Sequence, residues 1–261
     1  MQLNKIRIVL VEPSHPGNIG AVARAMKTMG LEELVLVNPR KFPHQEASAR
    51  AAGAEDVLCN AHVADDLRSV LSDCSLILGT SVRQRQVSWP ICAPKQVAEQ
   101  ISSHLSQDDQ HQAAILFGRE NSGLSNEELD LCQYQVSIPS NEDYSSLNLA
   151  SAVQIISYEL RMSYLKDKEV EVKEPKTTLE KRQLSATKEQ LDGHLQHLEE
   201  TLELLQFTRP GPTNMLMRKL TRLYNKAQLS VEDIQILRGI LSSMQSHLPN
   251  RKATTDANNQ K

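Results

Sequence analysis

The sequence predicts an α/β protein, a mostly parallel sheet with helices on both faces, plus a small all-helical C-terminal domain. Short apolar runs alternate with helical segments over residues 1–165, which is typical of parallel sheets. The composition then changes to a charge-dense segment at residues 166–180, which we interpret as a linker. Three helical stretches follow within residues 181–248. The last residues, 249–261, are polar, and we expect them to be disordered.

Five apolar runs of the first domain are predicted to be strands because they are continuous enough to be buried on both faces of a sheet. They cover residues 6–11, 34–37, 75–78, 113–117 and 136–138, and residues 57–58 are a candidate for a further short strand. The predicted helices between them cover residues 21–29, 45–52, 66–71, 94–105 and 125–132, and another begins at residue 149. The three helices of the second domain cover residues 187–206, 213–227 and 230–247.

Composition excludes several classes of protein. The net charge of the 261 residues is −3, so a nucleic-acid partner must be met by a local basic patch. Four scattered cysteines without a CxxC pair argue against a zinc site and a disulfide framework, and we expect no metal. No apolar run approaches eighteen residues and no signal peptide is visible, so we expect a cytoplasmic protein without a membrane partner.

Four of the predicted strands end in polar or glycine-rich loops. These loops follow Val11, Leu78, Phe117 and Ile138. The carboxyl ends of parallel strands lie at one edge of a sheet, so the loops could line a single ligand crevice. Their candidate side chains are Asn18, Arg24, Arg119, Glu120, Asn121 and Asn148.

Two common nucleotide sites do not match these loops. Gly17 and Gly20 follow the first strand, but the GxGxxG pattern of dinucleotide-binding folds is absent, and the second strand ends in Asn38-Pro39 rather than in an acidic residue. The GK[ST] signature of a P-loop is absent as well. A dehydrogenase or a P-loop nucleotidase is therefore disfavoured.

Three ordered motifs point elsewhere. They are Asn18-Ile-Gly-Ala-Val-Ala-Arg24, Phe117-Gly-Arg-Glu-Asn-Ser-Gly-Leu124, and the segment from Ile138-Pro to Tyr144-Ser-Ser-Leu-Asn-Leu-Ala150. Together they resemble the motifs of the SPOUT superfamily of RNA 2′-O-methyltransferases, closest to the tRNA enzymes of the TrmJ family. The resemblance covers residues 1–165 and continues into the second domain at residues 217–223 and 236–241.

This resemblance implies a trefoil knot in the C-terminal part of the sheet, S-adenosyl-L-methionine as cofactor, and a homodimer whose active site is shared between subunits. The implied substrate is tRNA, methylated on the ribose of cytidine or uridine 32 in the anticodon loop. The implied cofactor-binding residues are Thr80, Ser81, Val82, Gly118, Ile138, Ser145, Ser146, Leu147 and Asn148.

The resemblance also places Arg24 at the catalytic position. An arginine is normally protonated, so two roles stay open: Arg24 acts as the base for the 2′-hydroxyl in an adjusted environment, or it fixes the substrate phosphate while water takes the proton. Asn18 and Glu120 would orient Arg24 or the ribose, and Ser146 and Asn148 would hold the nucleotide or the cofactor. In-line methyl transfer depends mainly on such alignment.

RNA binding is expected from a basic stripe in the second domain. No acidic residue occurs between Glu203 and Glu232, and the basic residues of the stripe are one helical turn apart or adjacent. The RNA-binding candidates are Arg218, Lys219, Arg222 and Lys226, with Arg83 and Arg85 added from the loop after the third long strand. Two alternatives stay open: a ribosomal RNA 2′-O-methyltransferase and a non-catalytic RNA-binding protein of the same fold.

Overall fold

The computed structural model describes residues 2–82, 90–171, 184–208 and 215–247. Within them a seven-stranded sheet has the order β3-β2-β1-β6-β4-β7-β5, and every pairing is parallel, as predicted. The strands are β1 (Ile6–Val11), β2 (Leu34–Val37), β3 (His62–Ala64), β4 (Leu76–Thr80), β5 (Ile91–Cys92), β6 (Ala113–Phe117) and β7 (Tyr134–Val136).

Helices cover both faces of the sheet, and three further helices follow it. Those of the sheet domain are α1 (Pro16–Met29), α2 (Gln45–Ala51), α3 (Glu55–Cys59), α4 (Pro94–Gln107), α5 (Asn126–Leu129) and α6 (Leu149–Glu171). Those that follow are α7 (Lys188–Leu204), α8 (Met215–Ala227) and α9 (Val231–Ser246). Successive strand residues point to opposite faces, so Ile8 joins the core under the long helices α1, α4 and α6, whereas Val9 joins the core under α5.

Helix α1 begins at Pro16, five residues earlier than the sequence predicts. Proline suits the first turn of a helix, where its missing N–H has no partner to lose, and His15 Nδ1 accepts a hydrogen bond from the Gly17 N–H as the N-cap. A Cβ on Gly20 would lie 2.0 Å from the carbonyl oxygen of Ala47. The glycines of this segment therefore allow α1 to pack closely on α2, and they do not form the predicted loop.

Other boundaries differ where the elements are short. Residues 57–58 lie in helix α3 and not in a strand, and the helix predicted at residues 66–71 is reduced to a 3₁₀ turn at Ser69–Leu71. Strands β3 and β5 have three and two residues, too few to give a hydrophobic pattern. Helix α6 continues to Glu171, so residues 166–171 of the expected linker are helical, and β7 ends two residues earlier than predicted.

Helices α7, α8 and α9 form the C-terminal extension around Leu191, Leu195 and Ile234. The extension contacts the sheet domain directly, for example where the Lys188 N–H donates to the carbonyl oxygen of Cys74 at 3.0 Å. Residues 249–261 and most of the expected linker lie outside the described residues. Among the helices in the described ranges, none combines the length and the hydrophobicity that spanning a bilayer requires.

Candidate active site

An open cleft lies at the carboxyl edge of the sheet, where β4, β6 and β7 end. Its volume is about 800 Å³ including the open mouth, which suits a nucleoside-sized ligand. Three of the four predicted loops line it, and the fourth, after β1, reaches it through hydrogen bonds to Glu120. The lining residues predicted for the cofactor are Thr80, Ser81, Val82, Gly118, Ile138, Ser146 and Leu147.

The floor of the cleft is apolar and its rim is polar. Phe117, Val136, Leu149 and Ala152 contribute carbon surface, while Thr80 directs its hydroxyl to the Leu116 carbonyl oxygen at 2.9 Å. A flat aromatic ligand can pack on such a floor while backbone groups at the rim bind its polar edge.

The loop at residues 118–123 turns so tightly that Gly118 cannot carry a side chain. A Cβ at this position would lie 2.1 Å from the carbonyl carbon of Gly123 and 2.2 Å from the Leu124 nitrogen. The Gly123 N–H donates to the Arg119 carbonyl oxygen at 2.8 Å, which closes the turn. The absence of a side chain at Gly118 therefore lets the loop fold back against its own backbone where it lines the cleft.

Glu120 is held by several donors from the loop after β1 and from the first turn of α1. Its carboxylate accepts hydrogen bonds from the Ser14 N–H at 3.0 Å, the Ser14 hydroxyl at 2.9 Å and the Asn18 side-chain amide at 3.0 Å. Burial alone would raise the pKa of Glu120, but the hydrogen bonds from Asn18 and Ser14 outweigh it and lower that pKa to about 2. Glu120 is therefore a carboxylate at neutral pH.

The predicted catalytic residues Asn18, Glu120 and Asn148 form one hydrogen-bonded chain. The Asn148 amide donates to Asn18 Oδ1 at 3.0 Å, and Asn18 in turn donates to Glu120. Asn148 also caps α6, because its Oδ1 accepts from the Ala150 N–H at 2.9 Å. Such a chain of amides and a carboxylate presents both hydrogen-bond donors and acceptors, and these can orient a hydroxyl group.

Several predicted residues lie elsewhere. Within the described part of the chain, Ser145 and Asn148 do not line the cleft, and Ser145 contributes its carbonyl oxygen as acceptor to Ser140 Oγ at 3.0 Å. Arg24 is exposed on α1, six residues or about 9 Å along the helix axis from Asn18, and it does not line the cleft of its own chain. Arg83 and Arg85 lie outside the described residues.

The predicted basic stripe lies on α8, with Arg218, Arg222 and Lys226 at successive turns. Arg218, predicted to bind RNA, is engaged within the chain, because its Nε and Nη2 donate to Asp130 Oδ2 at 3.0 and 2.7 Å. The Asn225 amide donates to the Asp130 carbonyl oxygen at 2.6 Å. Arg218 thus joins the extension to the sheet domain, and Lys219 is exposed beside it.

Ser14, Glu12 and Glu128 contact the predicted site residues but were not themselves predicted from the sequence. Ser14 binds Glu120, and the two glutamates bind Arg119. Their positions in the sequence could have indicated them. Glu12 and Ser14 follow β1 directly, and Glu128 occupies the third position of a capping box that starts at Ser125. Among the described residues, no cluster of three or more metal-ligating side chains occurs.

Two protein-family models match this chain, one over the sheet domain and one over the C-terminal extension. The model of the SpoU rRNA Methylase family matches residues 5–158. The chain belongs to this family. The model described as the C-terminal domain of the tRNA methyltransferase TrmJ matches residues 189–258, which include the C-terminal extension.

Whole-chain relatives agree with both models. The Pseudomonas aeruginosa protein named tRNA (cytidine/uridine/adenosine-2′-O-)-methyltransferase TrmJ is 46% identical over 93% of this chain and 95% of its own. The Escherichia coli O6:K15:H31 protein named tRNA (cytidine/uridine-2′-O-)-methyltransferase TrmJ is 46% identical over 96% of this chain and 99% of its own. The resemblance to TrmJ, predicted from three motifs, is confirmed.

Solved structures show the same fold. TrmJ from Z. mobilis ZM4 matches with a TM-score of 0.77 and 32% identity, over 92% of this chain and 98% of that chain. A probable methylase family protein from Haemophilus influenzae Rd KW20 matches with a TM-score of 0.62 and 42% identity, over 94% of this chain and 97% of that one. The SPOUT fold class predicted from the sequence is confirmed, whereas the trefoil knot itself stays a prediction.

Proposed function

We propose that the protein is a tRNA 2′-O-methyltransferase that uses S-adenosyl-L-methionine and methylates the ribose of cytidine or uridine 32 in the anticodon loop. The observation that carries this proposal is the hydrogen-bonded chain of Asn18, Asn148 and the cleft-lining Glu120, three motif residues brought together from three parts of the sequence. Its whole-chain relatives bear the names of tRNA 2′-O-methyltransferases. We place the reaction in the cytoplasm.

The cleft suits the cofactor for reasons visible in its residues. Gly118 belongs to the tight loop that forms one wall, Phe117 and Leu149 provide an apolar floor for an adenine ring, and Ser81 and Ser146 lie at the polar rim. When bound, S-adenosyl-L-methionine supplies a methyl group activated by a sulfonium. The chain has to bind this donor and align the ribose with it, and alignment is worth up to about 7–11 kcal/mol in favourable cases.

Arg24 is the residue that we assign to the RNA side of the reaction. Its guanidinium can bind the substrate phosphate in a bidentate manner and polarise the 2′-hydroxyl, while its action as the base remains the alternative role. Because Arg24 is exposed and outside the cleft of its own chain, we propose a homodimer in which Arg24 of one subunit completes the site of the other.

Helix α6 offers a surface for this dimer. Ile155, Tyr158, Met162 and Leu165 are 36–49% exposed and recur every three or four residues, so they form one apolar stripe. Helix α6 packs beside α1, which carries Arg24, and the Arg161 side chain reaches Gly30 at the end of α1. A twofold contact along the stripe would bury it and bring the α1 helices of both subunits near the interface.

The experiment is methyl transfer from labelled S-adenosyl-L-methionine to total tRNA and, separately, to ribosomal RNA, followed by mapping of the modified ribose. We expect label at nucleotide 32 of tRNA only. Arg24→Ala should abolish transfer while donor binding by calorimetry stays within about twofold. Arg50→Ala, an exposed arginine on α2, is the matched control and should retain activity. Label only in ribosomal RNA, or full activity in Arg24→Ala, would contradict the proposal.

A further inference from the structure

The loop at residues 118–123 is braced by one guanidinium that bridges two carboxylates. Arg119 Nε donates to Glu12 Oε2 at 3.0 Å, and its Nη2 donates to Glu12 Oε1. On the other side, Arg119 Nη1 and Nη2 donate to the two oxygens of Glu128 at 3.0 and 2.9 Å. Both contacts are bidentate, which only the planar fork of arginine can provide.

The two carboxylates belong to different elements of the fold. Glu12 follows the buried part of β1 and has a φ of 47°, a left-handed conformation that is unfavourable for a residue with a Cβ. Glu128 lies on α5 and closes its capping box, since its Oε2 accepts from the Ser125 N–H at 2.7 Å. Arg119 therefore ties the end of β6 to the end of β1 and to the start of α5.

The brace is partly shielded from water. The side chains of Arg119, Glu12 and Glu128 are 24%, 36% and 14% exposed. The hydrogen bonds from Arg119 lower the pKa of Glu12, against the opposing effect of burial, and those to Glu12 and then Glu128 raise the pKa of Arg119. Both shifts favour the charged forms of Glu12 and Arg119.

Arg119 also precedes Glu120, whose side chain leaves the loop toward Ser14 and Asn18. The two neighbouring side chains thus fix the loop to the end of β1 on one side and to α1 on the other. The same loop forms the wall of the cleft at Gly118. A small displacement of this loop would change the space for the donor and the position of Glu120 together.

We propose that Arg119 is a positioning residue for methyl transfer, acting through the Glu12–Arg119–Glu128 brace to hold the donor-binding loop and Glu120 in place. This inference rests on the proposed function, because it assigns the brace to the donor site. Arg119 itself transfers no proton and no methyl group. Arg119 affects donor affinity by holding the donor-binding loop in place. It affects turnover by holding Glu120 in place.

The test compares Arg119→Gln, Arg119→Lys and the double variant Arg119→Gln/Glu128→Gln with Arg7→Gln in the full-length protein. Arg7 is the matched control because it also donates to both oxygens of a carboxylate, Asp73 at 2.8 and 3.0 Å, and is 19% exposed, but it lies away from the cleft. Donor affinity is measured by calorimetry with S-adenosyl-L-methionine, and thermal stability is measured beside it.

We expect Arg119→Gln to weaken donor binding about tenfold or more, Arg119→Lys to restore part of it, and Arg7→Gln to bind as the wild type does despite a comparable loss of stability. The double variant Arg119→Gln/Glu128→Gln should be no weaker than Arg119→Gln alone, because one interaction is removed in both. Wild-type donor affinity in a folded Arg119→Gln protein, or equal losses in Arg119→Gln and Arg7→Gln, would overturn the inference and leave the proposed function intact. Absence of donor binding in the wild type would overturn both.

Discussion

Replacing Glu120 by glutamine removes one charge and keeps the shape of the side chain. The pKa of Glu120 drops from 4.5 to about 2 on folding, so the charged form is stabilised by its donors in the native state. Each pKa unit corresponds to about 1.4 kcal/mol, which gives at most about 3 kcal/mol. Glu120 is partly exposed and its interactions are screened by solvent, so we expect Glu120→Gln to lose about 1–2 kcal/mol of unfolding free energy at pH 7.

The pH dependence of this loss has a defined sign. Because the folded pKa lies below the unfolded one, the stabilisation from Glu120 is fully present above about pH 4.5 and is lost as the pH falls toward 2. Glutamine does not titrate, so the difference in stability between the wild type and Glu120→Gln should shrink over this window. Other acidic groups titrate in both proteins and cancel in the difference.

Urea unfolding at pH 7, 5, 4 and 3 measures this difference directly. Glu127→Gln is the matched control, since Glu127 is exposed on the neighbouring helix α5 and its replacement should change stability by less than about 0.5 kcal/mol throughout. A difference between the wild type and Glu120→Gln that stayed constant from pH 7 to pH 3 would refute the assignment of the stabilisation to the Glu120 charge.

Three further changes test other parts of the structure. Gly118→Ala should weaken donor binding, because its Cβ would overlap the Gly123 backbone, whereas Gly239→Ala in the open part of α9 should stabilise the protein by about 0.5–1 kcal/mol in thermal unfolding. Arg222→Glu should lower tRNA affinity and reduce the salt slope of binding by about one, whereas Arg238→Glu on α9 should do neither. Met162→Asp should dissociate the proposed dimer in analytical ultracentrifugation.

Each of these changes has an outcome that would contradict it. Wild-type donor affinity in Gly118→Ala would show that the loop can open without cost. Equal effects of the two charge reversals would show that the extension attracts tRNA through its overall charge and not through α8. A Met162→Asp protein with the wild-type sedimentation coefficient would mean that the α6 stripe is not the dimer contact.

The sequence predicted that several chemically distinctive residues, although far apart along the chain, would lie at the same edge of the sheet. The motifs around Asn18, Glu120 and Asn148 placed three side chains at the ends of buried strands, and parallel strands bring such ends to one edge. The alternation of apolar runs and helices likewise predicted the parallel sheet, because burial on both faces leaves a continuous hydrophobic pattern. These signals are local and therefore readable from the chain.

Short elements and exact partners were not predictable. Strands of two or three residues leave no periodicity, and the five residues that begin α1 contain the proline and glycines that usually mark a loop. Neither the contact of Gly20 with Ala47 nor the ion pair of Arg218 with Asp130 is written in the local sequence. Both depend on which surfaces meet when the helices pack.

The sequence by itself determined the chemistry available at the carboxyl edge of the sheet, namely a glycine loop, amides and a glutamate, and it determined the basic helix of the C-terminal extension. Only the tertiary structure decided which of these groups share a site, since hydrogen bonds and ion pairs form between residues that are separated by about a hundred positions, such as Glu12 and Arg119. It set Asn18 against Glu120, left Arg24 on the surface and joined Arg218 to Asp130. Distance and direction in space govern these interactions, and a linear pattern specifies neither.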